Sequence, residues 1–64
     1  MKIYMPAEAG RYMKQHGVPY FEARKLIDQS TPDHEETCTE NGIDFTMRYW
    51  RQETLDKLLE AAKS

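Results

Sequence analysis

The hydrophobic positions of this chain change their period twice. From Ala9, Tyr12, Met13 and His16 follow at i+3, i+4 and i+7, a single stripe along a helix. A helix is therefore predicted over AEAGRYMKQH, with Pro6 at its first turn, where the missing N–H and fixed φ are tolerated. Gly10 weakens that helix by about 1 kcal/mol relative to Ala, and a glycine there lets another backbone come close. Gly17 suits the position just past a helix end, and Gly17-Val18-Pro19 then makes a tight break. Pro19 opens a second predicted helix, PYFEARKLIDQ. Ala23, Leu26 and Ile27 form its buried stripe, with Tyr20 at the edge. Glu22, Arg24, Lys25 and Asp28 fall on the wet side. Ser30-Thr31-Pro32-Asp33 ends it as a loop.

The period then drops to 2. Ile43, Phe45, Met47 and Tyr49 alternate with Asp44, Thr46, Arg48 and Trp50. Asn41-Gly42 just before them is a strong hairpin signal, because a two-residue type I′ turn needs φ > 0 at both central residues. Centring the turn there sets Glu40 opposite Ile43, Thr39 opposite Asp44, Cys38 opposite Phe45, Thr37 opposite Thr46, Glu36 opposite Met47 and Glu35 opposite Arg48. The face carrying Cys38, Ile43, Phe45, Met47 and Tyr49 is assigned to the core. The face carrying Thr37, Thr39, Thr46 and a Glu35–Arg48 pair is assigned to water. A slip of one residue would exchange the two. The helical period returns in QETLDKLLEAAK, and Trp50 is expected to pack on that last helix. Leu55, Leu58, Leu59 and Ala62 make its stripe and Glu53–Lys57 a supporting pair. Neither Arg51 nor Gln52 is a favoured N-cap for it. At the other end, Ile3-Tyr4-Met5 is either a loose terminus or a short third strand.

With 64 residues the chain makes one domain, 1–64, of marginal size for a self-sufficient core. Its single cysteine excludes an internal disulfide, and a lone thiol points to a reducing compartment, with Cys38 read as a small core residue. No apolar run is long enough for a membrane span, and MKIYMPAEAGRY lacks a signal-peptide core, so a soluble cytoplasmic protein is expected. Charge is segregated. Residues 1–25 hold five basic and two acidic groups, net +3; residues 26–47 hold six acids and no Lys or Arg, net −6. Such asymmetry speaks about partners. No nucleophile–base arrangement, phosphate loop or metal-ligand spacing stands out. An enzyme, a cofactor and a small-molecule substrate are therefore not expected, and His16 and His34 are read as unrelated residues.

The order strand, helix, tight turn, helix, hairpin, helix resembles an α+β fold, the small winged helix-turn-helix of excisionase-like and MerR-type DNA-binding domains. Three places carry the likeness. Ile3-Tyr4-Met5 with Ala7-Glu8-Ala9 looks like the family's opening strand and helix start. Gly17-Val18-Pro19 with Ala23-Arg24-Lys25-Leu26 looks like its turn and recognition helix. Arg48-Tyr49-Trp50-Arg51 with Glu53 and Leu55-Asp56-Lys57-Leu58-Leu59 looks like the junction after the wing. The resemblance implies duplex DNA as partner and a regulatory or architectural role in a phage or mobile element. Tyr20, Arg24 and Lys25 would then read DNA, and Arg11 and Lys14 would sit on neighbouring phosphates. So few cations permit only modest binding by one copy, so multimers on repeated sites are expected. The chain departs from the pattern in a longer first helix and in an acidic wing. Glu35, Glu36, Glu40 and Asp44 lie where the family usually places basic or neutral residues. That departure supports an alternative in which the 28–44 loop and hairpin bind a basic partner protein.

Overall fold

A computed structural model describes residues 2–63, an α+β arrangement of three helices and a three-stranded antiparallel sheet. Strand β1 is Ile3–Tyr4, helix α1 Pro6–Gln15, helix α2 Tyr20–Gln29, strand β2 His34–Glu40, strand β3 Ile43–Arg51 and helix α3 Gln52–Lys63. Strand order is β1-β3-β2. The terminal Ile3-Tyr4 run is thus a third strand, with Ile3 opposite Arg51 and Tyr4 opposite Trp50. No helix among the described residues is long and apolar enough to cross a membrane.

Local chemistry explains the breaks. The Met5 N–H at the start of α1 donates to Glu8 Oε1 at 3.2 Å. At the other end Gly17 takes φ 97°. The Gly17 N–H donates to the Lys14 carbonyl and the Val18 N–H to the Met13 carbonyl, each at 3.1 Å. This pair of bonds is the Schellman motif, and buried Val18 supplies the apolar residue that accompanies it. Pro19 is the N-cap of α2 rather than its first residue, with ψ at 141°. The hairpin turn places Asn41 at φ 53° and Gly42 at φ 77°. The β2–β3 register runs from Glu40 opposite Ile43 to His34 opposite Tyr49, including all six expected pairs.

The hairpin face assigned to the core, however, turns away from the helices, while Thr37, Thr39 and Thr46 on the face assigned to water are exposed, as expected. Tyr4, Ala9, Met13, Val18, Ala23, Ile27, Trp50, Leu55 and Leu59 form the core, and Trp50 is fully buried. Tyr12, Leu26 and Leu58 pack against its edge. Because side chains alternate along β3, burying Trp50 sends Ile43, Phe45, Met47 and Tyr49 to the other side. Ile43 is 67% exposed and Phe45 37%, while Cys38, Met47 and Tyr49 are half-buried. The reason is reach. Six residues separate Trp50 from Asp44, about 20 Å of strand, and the helices cover only the base of the hairpin. The distal part overhangs, so the apolar count of a face does not decide its burial there. Burying the indole does.

Several smaller expectations also give way. Glu35 and Arg48 stand opposite but form no ion pair. The Arg48 guanidinium lies over the Trp50 ring instead, 5.9 Å from its centroid. No Lys or Arg forms an ion pair with a carboxylate among the described residues, so the Glu53–Lys57 pair is not closed either. His16, on the predicted apolar stripe of α1, is exposed, its ring tilted against that of Tyr12 with centroids 4.4 Å apart. Ala62 is exposed. Helix α3 does have a cap, from a distant residue. Asp33 Oδ2 accepts the Arg51 N–H at 2.8 Å and the Thr54 hydroxyl at 2.6 Å. These two bonds hold the Asp33 carboxyl below the usual carboxylate range. Ser30 ties the same region inward. Its hydroxyl donates to the Ile27 carbonyl at 2.7 Å and accepts the Trp50 indole N–H at 2.8 Å.

Candidate nucleic-acid interface

Helices α1 and α2 pack closely because Gly10 has no side chain. A Cβ built at Gly10 would lie 2.9 Å from Tyr20 Cε1 and 3.0 Å from Arg24 Cδ. The close approach is therefore by two side chains, not by backbone. Tyr20 and Arg24 sit one turn apart on α2, and Arg24 Nη1 donates to the Tyr20 hydroxyl at 3.1 Å. Both are half-buried. The Arg24 Nε is buried with no partner. Arg24 is thus not the freely solvated side chain expected from its place off the apolar stripe. Its stem lies along Gly10 and its guanidinium is oriented by Tyr20, a geometry that fixes where its remaining N–H donors point.

Lys25 is exposed, and its ammonium lies 4.8 Å from the centroid of the Phe21 ring. Phe21 is 71% exposed. It was absent from the expected interface, although the sequence held the signal: it lies off the stripe formed by Tyr20, Ala23, Leu26 and Ile27, and an aromatic there has no core to enter. An exposed phenylalanine one turn before an exposed lysine gives the outward face of α2 both an apolar and a cationic contact. Arg11 and Lys14 are exposed on α1. The structure thus brings Tyr20 and Arg24 together as a bonded pair and joins Lys25 to Phe21. It shows no bond between Arg11 or Lys14 and either set.

The acidic residues do not gather into one site. Cross-strand register puts Glu36 and Glu40 on the outer face of the hairpin with Met47 and Ile43, and Glu35 and Asp44 on the helix side with Arg48 and Thr39. Glu36 Oε1 lies 3.1 Å from His34 Nε2. Asp44 Oδ1 accepts the Thr39 hydroxyl at 2.7 Å. Glu40 and Asp44 stand near the hairpin tip, roughly 20 Å or more of strand from Trp50, farther than the Debye length of about 10 Å at 0.1 M salt. Their field at the core end of the molecule is correspondingly weak.

No family model, curated protein or solved structure matches this chain.

Proposed function

We propose that this chain is a small winged helix-turn-helix protein that binds duplex DNA through α2, as a regulatory or architectural factor and not as an enzyme. The observation that carries the reading is the outward face of α2. Phe21 and Lys25 stand exposed on it, and Arg24 is pre-oriented by Tyr20 against a helix packed at Gly10. A recognition helix needs this combination: a rigid mount on its partner helix and side chains that reach outward from its first turns. Arg24 offers donors to guanine or phosphate oxygens, Phe21 an apolar contact such as a thymine methyl, and Lys25 a phosphate contact. Arg11 and Lys14 add cations for the flanking backbone. The hairpin is the wing, and its acidic tip is held away from the backbone rather than laid upon it. A phage or mobile-element setting fits the resemblance of the sequence.

Four cations, Arg11, Lys14, Arg24 and Lys25, imply weak single-copy binding with a steep salt dependence, a log–log slope of about −3 to −4. The test is a titration of fluorescent duplex DNA across salt concentrations. Arg24→Ala with Lys25→Ala should weaken binding and reduce the slope by about two. Salt-insensitive binding, no binding at low salt, or an unchanged affinity in the double variant would refute the proposal.

A further inference from the structure

The outer face of the hairpin has no use in the DNA reading, and its composition is unusual for a face turned to solvent. Ile43, Phe45, Met47 and Tyr49 run along β3, with Cys38 beside Phe45 on β2 and Ile3 continuing the row at the base. Ile3 is 46% exposed and Ile43 67%. Contiguous exposed apolar surface of this kind, rimmed by polar groups, marks contact with another molecule. Toward the tip the rim is acidic: Glu36 and Glu40 share the face, opposite Met47 and Ile43, and no Lys or Arg occurs in residues 26–47. Arg51, opposite Ile3, places a cation on this face at its base.

We infer that this face docks a basic amphipathic helix of a partner protein, its apolar stripe on Ile43, Phe45, Met47 and Tyr49 and its cations toward Glu36 and Glu40. The dimensions favour a helix over an added strand. The row from Ile43 to Tyr49 spans six residue steps, about 20 Å, matched by about 13 residues of helix. A helix about 10 Å across covers both strands of the hairpin. A strand added at the free edge of β2 would leave the apolar row of β3 bare. Charge argues against a second copy in the same place, because two such faces brought together would set four carboxylates against only two arginines across an apolar contact. The inference is independent of DNA binding by α2.

Backbone amide shifts would be followed in the labelled chain during titration with a 15-residue synthetic helix bearing a leucine stripe flanked by lysines. The same peptide with glutamates for the lysines, and a short DNA duplex, serve as the other arms, with sedimentation of the chain alone. The lysine peptide should move amides of Cys38, Ile43, Phe45, Met47 and Tyr49. Ile43→Thr with Phe45→Thr should weaken it about tenfold or more. Glu36→Lys with Glu40→Lys should weaken it similarly and capture the glutamate peptide instead. Amide spectra of both variants before titration establish that the fold is kept. Any of four results would overturn the inference: shifts elsewhere or none, equal binding of the two peptides, movement of these same amides by DNA, or self-association through this face.

Discussion

The facing of the hairpin toward the helices has a direct thermodynamic test: truncating one residue on each side of β3. Trp50 is fully buried, and its indole N–H donates to Ser30. Removing an aromatic side chain from such a site costs about 3–5 kcal/mol, the transfer of its atoms plus the cavity left behind. The lost hydrogen bond is included in that figure, at about 1 kcal/mol. A 64-residue domain has roughly 3–10 kcal/mol in total, at about 0.05–0.15 kcal/mol per residue. Trp50→Ala therefore removes about a third or more of the stability and should leave no cooperative transition in urea, or one moved down by about 3 M or more with a slope near 1 kcal/mol/M. Phe45 is only five residues away but is 37% exposed on the outer face. It loses a cross-strand contact with Cys38, worth about 0.2–1 kcal/mol, and Phe45→Thr keeps a good strand former in its place. Its midpoint should fall by less than about 1 M. Trp50→Phe, which keeps an aromatic ring but deletes the N–H donor, should fall between the two. Far-UV circular dichroism is the appropriate signal, since Trp50 is the sole tryptophan and its fluorescence vanishes with it. If Phe45→Thr proved costlier than Trp50→Ala, or if Trp50→Ala cost less than about 2 kcal/mol, Trp50 would not be the residue that sets the facing of the hairpin.

Other consequences can be checked with single substitutions. Asp33→Ala should lower stability by about 1 kcal/mol, as loss of a helix cap does. Because folding depresses the Asp33 pKa, that contribution is complete above the ordinary carboxylate value near pH 4 and fades as pH falls through Asp33's own lower value, so wild type and variant should converge in acid. The Tyr12 hydroxyl donates to Asp56 Oδ1 at 2.7 Å, and that bond, then burial and the nearby carboxylate charge, push its pKa up to about 12. A raised value means the bond's stabilisation is full below the ordinary tyrosine value near 10 and is lost as pH rises through about 12. Ultraviolet titration should show a phenol ionising at about 12, and Asp56→Asn should bring that step down toward the ordinary tyrosine value near 10. Gly10→Ala gains about 1 kcal/mol of helix propensity but pushes a methyl into the Tyr20 ring and the Arg24 stem. With overpacking at about 1–3 kcal/mol, the net should be a loss of about 1 kcal/mol, read from urea midpoints. A stabilised variant would show that Tyr20 and Arg24 move aside freely.

How much of the fold was legible in the sequence depends on how local each determinant is. The ends of α1, the start of α2 and the hairpin register rest on residues within a turn of one another. Gly17, Pro19 and Asn41-Gly42 specify them through backbone conformation alone, and the β2–β3 pairing extends from the turn to its last residue. The α3 cap was invisible because Asp33 lies 18 residues before the N–H it accepts. The restraint on Arg24 was invisible for a related reason, since it depends on the space left by Gly10 on another helix. The facing of the hairpin is the deeper case. Alternation gives two sets of residues but no sign, and the sign comes from whatever lies against the sheet. Counting apolar residues chose the set with Ile43, Phe45, Met47 and Tyr49. The helices reach only the base of β3, where the choice is between Trp50 and its neighbours, and the largest side chain settles it. The majority of apolar residues on β3 is consequently turned outward. Their number is therefore no measure of a core, because the length of strand beyond the helices decides how far they are exposed.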